Sequence, residues 1–177
     1  MSTMRTLLAG FGGQGILFAG KVMAYSALKE GKELSWLPSY GPEMRGGTCN
    51  CSIVISDKAI GSPQVTAPDV LVAMNRPSLD KFVNAVVPGG IILVDSSTVD
   101  VKVERDDVKV FYVPATKLAD ENGIKGLANI ILVGKLFKET NFVSAEMLDA
   151  GLQKCIPAKK AAMLDTNRKA LEIGMAN

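Results

Sequence analysis

The residues best suited to chemistry begin with the run GFGGQG at positions 10–15. Gly10, Gly12 and Gly15 have G-x-G-x-x-G spacing between an apolar segment and a stripe of apolar residues at helical intervals. Glycines let the backbone approach an anion, and a helix amino end offers free N–H groups and a positive dipole. A phosphate or diphosphate site is therefore predicted at Gly12, Gly13, Gln14 and Gly15. The alternative is a tight strand–helix turn that binds nothing.

The acidic residue of a dinucleotide-binding domain is not where that fold requires it. Such a residue ends the second strand, ~20 residues beyond the glycines, and holds the ribose hydroxyls. Here the second strand runs into Pro38, while Glu30 and Glu33 come before it or at its start. The sequence therefore disfavours NAD as the ligand.

A second loop, residues 40–47 (YGPEMRGG), follows the second strand and is expected at the same edge of the sheet as the glycines. A Glu and an Arg held between glycine and proline turns suit a positioned ion pair or an anion clamp. A surface loop with a local salt bridge is the alternative. The candidate site residues of this loop are Tyr40, Glu43, Arg45, Gly46 and Gly47. Asp95 closes another buried strand at that edge, where it is either a polar contact of the site or the N-cap of whatever follows; we favour the cap.

Composition excludes several kinds of active site. The 177-residue chain has no histidine, which removes Ser–His and Cys–His nucleophile pairs and His-ligated metal centres. Its three cysteines cannot complete a four-thiolate zinc or iron–sulfur site. Cys49 and Cys51 lie in one extended segment, where a disulfide between them would be strained, so we expect reduced, buried thiols. We therefore predict no catalytic residue and no metal site in this chain alone.

The order of predicted elements indicates an α/β fold. Strands alternate with helices, and the chain becomes wholly helical after residue 128, which favours a mostly parallel sheet covered on both faces. We predict one Rossmann-like domain over residues 1–177 with a helical C-terminal part. The predicted strands are residues 4–9, 33–37, 49–56, 69–74, 90–94 and 108–113, and the predicted helices are 16–30, 77–87, 128–138, 144–155 and 159–173.

Charge and hydropathy limit the partners. The chain has 20 basic and 18 acidic residues, and no basic tract of the kind that binds nucleic acid. It has no stretch of about 18 apolar residues and no segment like a signal peptide. We therefore expect a cytoplasmic protein that binds neither nucleic acid nor membranes.

Taken together, the two glycine-containing segments resemble a known family. The run GFGGQG, the segment SYGPEMRGG at residues 39–47, IGSP at 60–63 and Asp69 are similar to the gamma subunit of 2-oxoacid:ferredoxin oxidoreductases. Residues 127–129 (LAN), and Asn167 with Ala170 and Gly174, match the family pattern as well. The resemblance runs from about Thr6 to Gly174, and the segment SWLPSY at 35–40 is most similar to the 2-oxoglutarate branch.

The resemblance implies a role in CoA-dependent oxidative decarboxylation of a 2-oxoacid. Thiamine diphosphate, Mg and iron–sulfur clusters would lie on partner subunits, and ferredoxin would accept the electrons. CoA would be a co-substrate that the glycine turn helps to bind, with Asn129 as a further site residue. The cation that such a turn is expected to have just after it is absent here, where Ile16, Leu17 and Phe18 follow.

The implied partners are alpha and beta subunits, with a delta subunit as a further candidate. We expect the isolated chain to be inactive, with an apolar interface around Trp36, Leu37 and Tyr40 that could form a homodimer. Two alternatives stay open: an autonomous nucleotide-binding Rossmann module, and a non-catalytic subunit that holds the catalytic chains together.

Overall fold

The computed structural model describes residues 3–40 and 48–177. The described strands are β1 (Thr3–Phe11), β2 (Glu33–Tyr40), β3 (Thr48–Ser56), β4 (Val70–Ala73), β5 (Ile91–Asp95) and β6 (Lys109–Val113). They form one six-stranded sheet in the order β2-β3-β1-β4-β5-β6.

Strand direction confirms the predicted mostly parallel sheet. Strands β1, β4, β5 and β6 pair in parallel, whereas β3 is antiparallel to both β1 and β2. Since β1 and β2 both run opposite to β3, all the described strands except β3 point the same way. Gly10 pairs with Cys49, and Cys49 pairs with Tyr40. The ends of β1 and β2 therefore lie together at what we call the carboxyl edge of the sheet, and the opposite edge is the amino edge.

Helices cover both faces of the sheet, as predicted. They are α1 (Ile16–Lys29), α2 (Arg76–Phe82), α3 (Ala115–Glu121), α4 (Ala128–Thr140), α5 (Ala145–Cys155) and α6 (Ala161–Ala176), with 3₁₀ turns at Val83–Ala85 and Ala158–Lys160. The C-terminal part is helical, because α4, α5 and α6 follow one another with only short connections.

Alternate residues of the strands supply two separate cores. Leu8 of β1, Val72 of β4 and Leu93 of β5 point into the larger core beneath α1, α3, α4, α5 and α6. Their chain neighbours Leu7, Leu71 and Ile92 point to the other face, where α2 and the following segment form the smaller core. This two-sided burial is why β4 and β5 read as continuous apolar runs, which is typical of parallel strands.

Several predicted boundaries differ from the structure by one to five residues, and one helix was not predicted. The helix predicted over 77–87 ends at Phe82 and continues as a 3₁₀ turn. Strand β2 extends through Pro38 to Tyr40, beyond the predicted end at Leu37, because β2 is an edge strand and an edge tolerates a residue without an N–H. Helix α3 was not predicted at all, since seven residues are too few to establish a helical period.

Within the described residues, no helix is long and apolar enough to cross a membrane.

Candidate functional site

The turn between β1 and α1, residues 12–15, is built from two left-handed glycines with different surroundings. Gly13 has φ 96° and Gly15, the N-cap of α1, has φ 74°. A Cβ atom on Gly15 would collide with Nδ2 of Asn129, whereas a Cβ atom on Gly13 would meet nothing within 4 Å. Gly15 is therefore required by the fold, and the exposed Gly13 is where a ligand can approach the backbone of the turn.

Gln14 fixes the shape of this glycine turn. Its Oε1 accepts a hydrogen bond from the backbone N–H of Phe11 at 2.6 Å, and its Nε2 donates to the carbonyl of Met74 at 2.9 Å. The Gln14 side chain thus ties the end of β1 to the end of β4. Contact between Gln14 and a ligand stays a prediction, and the bonds described here are structural.

Asn129 joins the glycine turn to a second helix amino end. It lies in the first turn of α4, is 3% exposed, and donates from Nδ2 to the carbonyl of Gly15 at 2.9 Å. Its buried Oδ1 has no hydrogen-bond partner. The sequence resemblance pointed to Asn129, and the structure brings it into direct contact with the glycine turn.

The amino ends of α1 and α4 therefore meet at this turn. Neither helix has a side-chain cap, and neither has an acidic residue in its first turn. Free N–H groups and the dipole make each end electropositive. The arrangement suits an anion, as the sequence predicts.

Polar groups on the neighbouring strands hold the other side of the site. Thr98 donates from Oγ1 to the same Met74 carbonyl that Gln14 uses, at 2.9 Å. Asp95 is wholly buried; its Oδ2 accepts from Thr116 Oγ1 at 2.6 Å, and its Oδ1 accepts from the N–H groups of Ser97 and Thr116. Asp95 thus accepts from Ser97 in the turn that follows it, and it also holds the amino end of α3, whose own N-cap residue, Pro114, makes no side-chain bond.

These elements enclose a pocket of about 260 Å³ at the carboxyl edge, which we call the turn pocket. Gly13 and Gln14 form one wall, and Thr98, Thr116 and Met74 are among the lining residues. Two charged residues line it, Asp120 at the end of α3 and Lys125 in the connection to α4. The pocket is smaller than the ~300–1,000 Å³ typical of a complete small-molecule site, so it can hold only part of a large ligand.

Sequence reasoning missed Lys125, Thr98 and Thr116. They lie far along the chain from the glycines and belong to no motif. The only signal for them was topological, since connections after parallel strands gather at the carboxyl edge.

Most of the second loop lies outside the described residues. Glu43, Arg45, Gly46 and Gly47 all fall there, so their predicted roles stay predictions. The backbone of Tyr40 ends β2 opposite Cys49, which places the start of the loop at the carboxyl edge, as expected.

The side chain of Trp36 is partly buried and points inward. Its ring packs against the larger core, and its Nε1 lies beside Gly20 of α1 and the Cys51 thiol. The interface expected around Trp36, Leu37 and Tyr40 stays a prediction. Leu37 points to the opposite face and is 37% exposed.

All three cysteines are free thiols, as predicted, although only Cys51 is buried. Burial raises the pKa of Cys51 to about 12 and that of Cys155 to about 11. At neutral pH both thiols are protonated and weakly nucleophilic. Among residues 3–40 and 48–177, no group of three or more Cys, Asp or Glu side chains is arranged to hold a metal ion.

Comparison with known proteins gives consistent matches. Residues 5–177 match the family described as pyruvate ferredoxin/flavodoxin oxidoreductase. The chain is 42% identical over 173 residues to the ketoisovalerate oxidoreductase subunit VorA of Methanothermobacter marburgensis, covering 97% of this chain and 36% of VorA. It is 39% identical over 153 residues to the 2-oxoglutarate synthase subunit KorC of Methanocaldococcus jannaschii, covering 85% of this chain and 82% of KorC. The chain thus spans about a third of VorA and most of KorC.

Solved structures agree. The gamma subunit of a keto/oxoacid ferredoxin oxidoreductase from Geobacter sulfurreducens superposes with a TM-score of 0.83 at 30% identity, over 98% of this chain and 96% of that one. The 2-oxoglutarate:ferredoxin oxidoreductase of Magnetococcus marinus, solved with 2-oxoglutarate, coenzyme A and succinyl-CoA, gives 0.89 at 22% identity over 99% of this chain and 31% of that one. The second match shows a shared fold. On the family match and the relatives together, the chain belongs to the pyruvate ferredoxin/flavodoxin oxidoreductase family and is similar over nearly its whole length to gamma subunits, as the motifs predict.

Proposed function

We propose that this chain is the gamma subunit of a CoA-acylating 2-oxoacid:ferredoxin oxidoreductase, and that its turn pocket binds part of CoA. The alpha and beta subunits would carry thiamine diphosphate, Mg and iron–sulfur clusters, and ferredoxin would accept the electrons. The observation that carries the CoA proposal is the meeting of two uncapped helix amino ends at a glycine open to solvent.

The geometry of the pocket supports partial binding of CoA. Free N–H groups at the amino ends of α1 and α4 are suited to phosphate oxygens. The turn pocket is too small for the whole molecule, so the rest of CoA would extend toward partner chains. A shared site of this kind agrees with the absence of histidine from this chain.

This chain's contribution to the reaction would be binding and orientation. CoA supplies the thiol that receives the acyl group, and the residues described here act at a distance from that thiol. Gln14 and Asn129 hold the turn through their bonds to Met74 and Gly15, so that the phosphate-binding N–H groups need not reorganise when the ligand arrives.

For the substrate, we propose 2-oxoglutarate. The support is the similarity to KorC along most of its length and the approach to the second loop, SWLPSY. The higher identity to a VorA fragment makes ketoisovalerate the alternative.

Purification of the native complex, followed by oxoacid-dependent viologen reduction, tests the activity and the substrate. We expect CoA-dependent activity that is highest with 2-oxoglutarate, and none from the isolated chain. A preference for ketoisovalerate would overturn the substrate assignment alone. Oxoacid-dependent activity in the isolated chain, or a native chain without partner subunits, would overturn the subunit assignment.

A Gly13→Val variant of the complex tests the pocket, with Gly31→Val as its matched control. Both glycines have positive φ and open space around the missing Cβ, but Gly31 follows α1 at the amino edge. We expect Gly13→Val to raise the KM for CoA strongly and to leave the KM for the oxoacid nearly unchanged, while Gly31→Val changes neither.

A non-catalytic assembly subunit is the second candidate. It is favoured by the inward bonding of Gln14, whose side-chain oxygen and nitrogen both contact this chain's own backbone. Unchanged CoA kinetics in a folded Gly13→Val complex would make assembly the leading function.

A further inference from the structure

The turn pocket contains an unpaired cation. Lys125 lines the pocket together with Gly13 and Gln14, and it forms no hydrogen bond or ion pair among the described residues. It lies just before α4, beside Gly126, which also lines the pocket. An exposed lysine with no partner at a pocket wall is available to a ligand.

Lys125 brings to the pocket a cation that the sequence directly after the glycine turn lacks. Residues 16–18, which follow the glycine turn, are all apolar, so α1 supplies no cation to a phosphate there. The structure brings a cation to the same pocket from the segment before α4, whose amino end is linked to the turn by the bond from Asn129 to Gly15.

We propose that Lys125 is the phosphate-binding cation of the turn pocket and forms a charge-assisted bond to a phosphate group of CoA. This inference rests on the proposed function. It adds a specificity-determining residue that the motifs do not reveal: a ligand with a phosphate at this place is bound, and its uncharged analogue is rejected.

Asp120 provides a second test of the proposal, because it is the other charged residue among the described residues that line the pocket. It too forms no ion pair among the described residues, so its charge opposes that of a bound phosphate. Removal of the Lys125 charge should therefore weaken the affinity for CoA, and removal of the Asp120 charge should strengthen it.

The test is calorimetric titration of the assembled complex with CoA, in the absence of oxoacid. We expect Lys125→Met to weaken binding about 10- to 100-fold, the loss of one charge-assisted bond, and Lys125→Arg to restore most of it. Asp120→Asn should tighten binding a few-fold. The matched control is Lys117→Met, an exposed lysine of α3 that does not line the pocket and should change the Kd little.

A parallel titration with 3′-dephospho-CoA identifies the phosphate. If Lys125 binds the 3′-phosphate, Lys125→Met and wild type should bind this analogue equally; if it binds the diphosphate, the variant should bind it more weakly.

Failures of the two proposals are distinguishable. Suppose that Lys125→Met and Lys117→Met have equal Kd values for CoA, while Gly13→Val still raises the KM for CoA. The role of Lys125 would then be overturned, and the CoA site would be retained. An unchanged CoA affinity in both Lys125→Met and Gly13→Val would remove the CoA site itself.

Discussion

The pockets at the two edges of the sheet differ in whether their charged side chains form ion pairs within the described residues. At the amino edge a depression of about 410 Å³ is lined by two charged residues, Asp69 and Glu139. Both are paired within the chain, Asp69 with Arg5 at 2.8 Å and Glu139 with Lys135 at 2.7 Å. At the carboxyl edge the smaller turn pocket is lined by Lys125 and Asp120, neither of which forms an ion pair among the described residues.

The difference separates an edge whose pocket charges are neutralised within the chain from one whose pocket charges have no ion-pair partner among the described residues. A depression whose charged side chains are paired within the chain offers few free charges to a ligand, whatever the volume of the depression. The turn pocket combines charged side chains that have no ion-pair partner among the described residues with uncapped helix ends. Hydrogen bonds from Gln14 and Thr98 to the Met74 carbonyl, and from Thr116 to Asp95, hold its walls.

The largest effect should come from Gly15→Ala. Positive φ costs an alanine about 1–2 kcal/mol, and its Cβ would also collide with Asn129, which adds about 1–3 kcal/mol. Gly31→Ala, with positive φ and no collision, should lose only the about 1–2 kcal/mol that positive φ costs. Urea unfolding of both variants measures the difference, and equal losses would show that Asn129 moves aside freely.

The second largest loss of stability should come from Asp95→Asn. The amide that replaces the buried carboxylate has one acceptor oxygen, so the bonds from Thr116 and Ser97 cannot all be kept. We expect a loss of about 2 kcal/mol in the free energy of unfolding. The exposed Asp106→Asn is the control, and a similar small change in both would contradict the assigned role of Asp95 at α3.

Gln14→Leu should cost somewhat less, about 1–2 kcal/mol. The N–H of Phe11 loses its acceptor, but the Met74 carbonyl still accepts from Thr98. Gln14→Glu keeps the acceptor for Phe11 and should lie between leucine and wild type. If both variants are as stable as wild type, the turn does not depend on this side chain.

The sequence predicted much of this architecture because its signals were local. The G-x-G-x-x-G spacing marked the turn, and the buried runs marked β4 and β5. The residues of 49–56 marked β3 as a strand, although its antiparallel direction and the burial of both its faces were not predicted. Helix α3 was missed because its amino end is held by Asp95 from another strand and not by a capping residue of its own.

The candidate site was predicted only where its residues adjoin the glycines. Asn129 came from the family resemblance, since nothing local in an apolar helix distinguishes it. Lys125 could not be found, because its proximity to Gly13 is created by the fold of the intervening chain. The orientation of Trp36 could not be predicted for a related reason: an aromatic residue in an edge strand has two possible faces, and the register of β2 against β3 decides which is buried.

The smallest effect on stability should come from replacement of Asp69 at the amino edge. Partial burial raises the pKa of Asp69, but hydrogen bonds from the side chain and N–H of Arg5 outweigh it and hold that pKa below its ordinary value. A carboxyl group with a lowered pKa stabilises the fold above the pKa that it has in the unfolded chain, about 3.9. The contribution then disappears as the pH falls through the lower pKa of the folded state. Because the Arg5 side chain is 43% exposed and that of Asp69 30%, we expect at most about 1 kcal/mol.

Asp69→Asn should therefore be slightly less stable than wild type at pH 7, and the difference should shrink as the pH falls below about 4. Unfolding in urea at a series of pH values measures it, and Arg5→Met combined with Asp69→Asn separates the pair from other effects. A stability difference that keeps its size below pH ~4 would contradict this role, because it would show that the Asp69 carboxylate stabilises the amino edge by something other than its charge.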